Sequence, residues 1–192
     1  MYYIMMLKSK ADYKRKSEGT ESITFRIGKS ILDELRQDAD HKLKSVNTLV
    51  NQIIKSYITW HKPARKAGFG YFDNVLISYI INILSDEQII QVAEQYCKQR
   101  LKDISFMLYS ENTFLSFMGG ILCWIETSGF SYKYNNVDDA HTLIIKFDMG
   151  RNWSLYFKTY MQLVLEYYKI KDALCEMTDN AVIIKIKSQY IY

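Results

Sequence analysis

The chain has 192 residues and a mass of 22.7 kDa, with 48% hydrophobic and 24% charged side chains, which excludes a disordered or fibrous protein and sets one or two domains as the expectation. The net charge is only +4, yet residues 1–70 hold 14 basic side chains against seven acidic ones while the remaining 122 hold 11 against 14. A basic first third addresses a phosphate backbone, which responds to local charge and not to the chain average.

Residues 8–20 are polar and basic without periodicity, so residues 1–20 read as an N-terminal arm. From 22 to 27 polar and apolar residues alternate strictly, predicting a strand with Ile23, Phe25 and Ile27 on one face and Ser22, Thr24 and Arg26 on the other. Gly28 breaks it, and Ile31, Leu32, Leu35 and Ala39 recur at helical spacing toward an end near His41. Ser45 is a good N-cap for a second helix, from about Val46 to Trp60 or His61, with Val46, Leu49, Val50, Ile53, Tyr57 and Trp60 on one stripe. The sole proline, Pro63, then stands where a domain boundary is expected.

Residues 62–104 read as a rigid helical spacer. Its segment 74–84 is apolar nearly all round and is expected to be buried, and Ser85-Asp86-Glu87 caps an amphipathic helix through Ile89, Ile90, Val92, Ala93, Tyr96 and Cys97. Beyond it the pattern predicts a strand at 104–109, a helix at 112–128, strands at 130–134 and 141–149, and a helix at 151–169. A hairpin of 172–177 and 181–187 closes the chain around Thr178-Asp179-Asn180. That order fits a C-terminal domain at 105–192 with an antiparallel sheet and both helices on one face, a ferredoxin-like arrangement, and makes the whole chain α+β.

The ribbon ITFRI, the helix ILDELRQDA and the helix SVNTLVNQIIKSYI stand in a register that resembles the ribbon-helix-helix DNA-binding family of Arc and MetJ, over residues 21–60, which implies a DNA-binding domain at 21–61. The residues argue the same way, because a lone strand beside two helices leaves its backbone donors and acceptors unpaired until a second copy joins it about a two-fold axis. A homodimer is therefore expected, with Ile23, Phe25 and Ile27 facing Leu32, Leu35, Leu49, Val50 and Ile53, and with pairing of dimers into tetramers left open. The resemblance implies a transcriptional regulator on double-stranded DNA, whose outward ribbon residues, here Ser22, Thr24 and Arg26, read bases in the major groove. Arg26 is the strongest of these, since a guanidinium can bond guanine O6 and N7 together. The family clamps phosphate with the amino end of its second helix, here Ser45, Val46 and Asn47, where free N–H groups and the helix dipole favour an anion and where Lys42 and Lys44 add charge. The chain departs from the family in having no glycine in the turn 40–44, and in placing Gly28 where a helix-starting proline or aspartate is common.

The same motif fused to a ferredoxin-like domain includes nickel-responsive regulators, but the C-terminal part here has only His141, Cys123 and Cys175 as soft ligands, so no metal or other cofactor is expected. His141 and Asp148 point to opposite faces of an extended strand and make no site with Trp153. A small-molecule effector is left open by the aromatic content. No nucleophile elbow, phosphate loop or paired metal ligands speak for an enzyme. Cys97, Cys123 and Cys175 lack both a disulfide framework and zinc spacing. The apolar start 1–7 is too short for a signal peptide and residues 113–125 cover only about two-thirds of a membrane span, so a cytoplasmic protein without membrane contact is expected. The alternative function is an antitoxin-like or assembly module that binds another protein and has no specific operator.

Overall fold

The computed structural model describes residues 19–109, 112–137 and 139–187, so the expected N-terminal arm lies outside the described residues apart from Gly19 and Thr20. The chain is α+β. Helix α1 spans Lys29–His41 and α2 spans Val46–Ser56, the latter capped by Ser45 Oγ, which accepts from the Thr48 amide at 3.1 Å. Both boundaries fall where the periodicity and the cap signal place them.

The second helix does not stop at His61. It widens into a π-turn at Tyr57–His61 and continues as α3, Lys62–Lys66. Pro63 explains the widening: it has no N–H, and its ring would strike the carbonyl four residues back in a regular helix. The Lys62 amide instead donates five residues back, to the Tyr57 carbonyl, which opens the ladder just before the proline. Pro63 therefore lies within a continuing helix and does not mark its end.

Helix α4, Asn74–Asn82, corrects a second expectation. Only Ile81 is buried, while Val75, Leu76, Tyr79, Ile80 and, just past the helix, Ile83 are exposed, Tyr79 at 71% and Ile83 at 82%. Helix α5 is opened by a reciprocal pair, Ser85 N–H on Gln88 Oε1 at 2.9 Å and Gln88 N–H on Ser85 Oγ at 3.4 Å. It runs over Asp86–Tyr109 and so absorbs the strand expected at 104–109. Residues 104–109 are rich in strand-forming types, but Ile89, Ala93, Cys97, Leu101 and Ile104 are all buried at spacings of three and four, and this single helical stripe overrides local preference.

Helix α6, Phe114–Thr127, precedes the hairpin β1, Ser131–Val137, with β2, Ala140–Lys146; helix α7, Arg151–Tyr167, precedes the hairpin β3, Leu174–Met177, with β4, Ala181–Lys187. The hairpins join edge to edge in the order β1-β2-β4-β3, antiparallel throughout, with Leu143 opposite Ile184 and Ile145 opposite Val182. With no strand ahead of α6 among the described residues, the arrangement is two helix-hairpin units and the ferredoxin-like order is overturned. Alternation points His141, Leu143 and Ile145 of β2 and Val182, Ile184 and Ile186 of β4 into the core, where Phe117, Ile125, Phe157, Met161 and Val164 of α6 and α7 cover them. Arg151 holds Asp86 through two bonds of 2.8 Å, and Asn152 Nδ2 reaches the carbonyls of Ile81 and Leu84 at 3.2 Å. These bonds dock the start of α7 on the junction between α4 and α5. No helix among the described residues is long and apolar enough to cross a membrane.

Candidate nucleic-acid interface

Residues 19–28 form neither helix nor strand in the single chain. A strand exists only by pairing, and the described residues offer this segment no partner edge. Its apolar alternation is exposed, Ile23 at 73%, Phe25 at 53% and Ile27 at 40%. Ser22, Thr24 and Arg26 are exposed as well, and among the described residues no hydrogen bond or ion pair engages them. Of the residues expected to share a core with this segment, Leu49 is buried, Leu32, Leu35 and Val50 are half-buried, and Ile53 is exposed.

The turn between α1 and α2 closes without glycine. The Lys44 amide donates to the Ala39 carbonyl at 2.9 Å and the Leu43 amide to the Asp40 carbonyl at 3.0 Å, a Schellman ending in which Leu43 takes the left-handed position at φ 50°. Gly28 begins α1 with its carbonyl receiving the Leu32 amide at 3.0 Å and no side-chain cap. The missing glycine and the weak cap are thus both accommodated by backbone bonds alone.

The structure gathers Lys42, Lys44, Ser45, Val46 and Asn47 at the start of α2. The first-turn amides there have no intrahelical acceptor. Lys42 is held by Asp38 at 2.8 Å, which offsets part of its charge, while Lys44 donates to the neutral Gln52 at 3.2 Å and keeps its full charge beside the helix start. Ser45 Oγ also bonds Thr48 Oγ1 at 2.8 Å, and Asn47 presents its carbonyl to Asn51 Nδ2 at 2.9 Å. Leu43, Thr48 and Gln52 were not legible as parts of this corner; the only signals were the absent glycine and polar residues one turn into the helix.

His141 is buried in β2 and bonds Tyr134 across the hairpin, whereas Asp148 is exposed in the turn before α7, at φ 53°. Among the described residues no group of three or more His, Cys, Asp and Glu side chains could hold a metal ion. No family model matches the chain, and neither a curated protein nor a solved structure matches it significantly.

Proposed function

We propose that the protein is a sequence-specific, DNA-binding transcriptional regulator that dimerises by pairing residues 22–27 of two copies into a ribbon. The observation that carries this reading is the alternating row Ile23, Phe25 and Ile27, left exposed beside a helix-turn-helix pair whose own apolar residues Ile31, Ile53, Tyr57 and Ile58 are exposed too. Large apolar side chains left exposed along residues 23–58 are an interface in waiting, and an antiparallel ribbon satisfies the backbone and the side chains together. Ser22, Thr24 and Arg26 would then repeat on the outer face of the ribbon, where Arg26 reads guanine. The amino end of α2 with Lys44 would hold the flanking phosphate.

Mobility shifts on random duplex DNA at two salt concentrations test this. Binding should weaken steeply with salt, and Arg26→Ala should relax sequence preference by about 1–3 kcal/mol at one position while leaving most of the salt slope. An absence of binding at low salt removes the reading. A second reading, a protein-interaction module without an operator, is favoured by one observation: the exposed apolar side of α4. A dimer that binds no DNA would support it.

A further inference from the structure

A cavity of about 280 Å3 lies where the N-terminal helices meet the C-terminal layer. Trp60 of the π-turn and Phe69 just beyond α3 form one side, and Trp124 of α6 with Trp153, Tyr156 and Tyr160 of α7 are on the other. All three tryptophans of the chain line it. The walls carry aromatic faces in several orientations: Trp124 stacks on Phe157 at 16° and 5.7 Å, Tyr156 on Tyr160 at 7° and 6.3 Å, and Trp60 leans on Phe69 at 56°.

The polarity of the site narrows what could occupy it. Among the described residues no Asp, Glu, Lys, Arg or His side chain lines the cavity. Burial pushes the phenols of Tyr96, Tyr156 and Tyr160 upward, so none of them supplies a negative charge near neutral pH. A charged ligand would lose its hydration there, and Arg100, which bonds Tyr96 from behind the wall, is not on the lining and is already engaged by the Ala67 carbonyl. The indole N–H of Trp153 is buried with almost no accessible surface, so the cavity meets the ring of Trp153 and not its donor. The size speaks too, since an apolar cavity of about 150 Å3 accommodates benzene, so this one has room for a larger, fused-ring molecule.

We propose that this cavity is a binding site for an uncharged, planar aromatic molecule of about two fused rings, held by the aromatic faces of its wall. Such a ligand stacks between the π-turn side and α7. Its position would couple it to the module that carries α1 and α2, because Trp60 belongs to the same continuous helix as the residues at the start of α2. Arg100 of α5 already ties the Ala67 carbonyl to this junction. The binding itself does not rest on the DNA reading and is measured on the free protein.

The test titrates the full chain with coumarin (neutral, two rings, one carbonyl), naphthalene (no acceptor) and coumarin-3-carboxylate (an anion), followed by calorimetry and by the NMR resonances of the three indole N–H groups. Coumarin should bind at one per chain with submillimolar affinity and shift the indole resonances. The carboxylate should bind at least about tenfold more weakly. Naphthalene should bind as well, since the wall offers it the same ring faces. Ser116→Trp, placed on the cavity wall, should abolish both while the spectrum stays dispersed. Three results would each overturn the proposal: no shift of any indole resonance by coumarin, equal affinity for the carboxylate, or undiminished coumarin binding by a folded Ser116→Trp protein.

Discussion

Replacing Leu43 by glycine should make this protein more stable, although it deletes a large hydrophobic side chain. Leu43 is 95% exposed, so truncation removes almost no buried area. Its backbone is held at φ 50° by the two bonds that end α1, and the left-handed region costs a residue with a Cβ about 1–2 kcal/mol. Glycine avoids that cost but loses more backbone freedom on folding, about 0.5–1 kcal/mol. The difference leaves a net gain of about 0.5–1 kcal/mol. The chain contains its own comparison, because the same pair of bonds ends α3 at Gly68 and α6 at Gly129, both at positive φ, and ends α7 at Lys169, at φ 57°. Urea denaturation at fixed protein concentration reads the effect: for a slope of about 2–3 kcal/mol per molar, the midpoint should rise by about 0.2–0.5 M with the slope unchanged. Lys169→Gly should move the same way, since Lys169 is also exposed. A lower midpoint for Leu43→Gly would refute the reasoning and would mean that the leucine side chain is covered by something other than its own chain.

Three further outcomes follow from particular residues. Phe25→Asp, which puts a charge in the middle of the exposed apolar row, should yield a monomer in sedimentation velocity with helix content unchanged by circular dichroism; a persisting dimer would place the interface elsewhere. Met161 is fully buried between α7 and the sheet, so Met161→Ala should cost about 2–5 kcal/mol in the same urea assay, and a loss well under 1 kcal/mol would show that the core is not packed there. His141 is 2% exposed, and burial lowers its pKa below the ordinary 6.5. The unfolded chain therefore binds a proton on acidification that the native state resists, so the contribution of this residue is complete above about pH 6.5 and shrinks as pH falls below it. Stability measured from pH 7.5 to 5 should decline less in His141→Gln than in the parent, and identical slopes would exclude His141 as the source.

Much of the chain was determined locally and could be read without its fold. The end of α1 at His41, the Ser45 cap, the helix start at Ser85 and the strand Ala181–Lys187 follow from spacing and capping chemistry that act within a few residues. The candidate interface was legible for the same reason, as an alternation from 22 to 27 and a cap at 45. Tertiary structure decided what depends on distant partners. Residues 104–109 became helix because Ile104 continues the buried stripe of Ile89, Ala93, Cys97 and Leu101, and the two hairpins met through β2 and β4, a pairing between segments some 40 residues apart that no local pattern encodes. The apolar helix α4 stayed exposed because composition reports a wish for burial and not the presence of a surface to bury against. The cavity belongs to the same class: Trp60, Trp124 and Trp153 lie in three separate predicted helices, and only folding brings the three together.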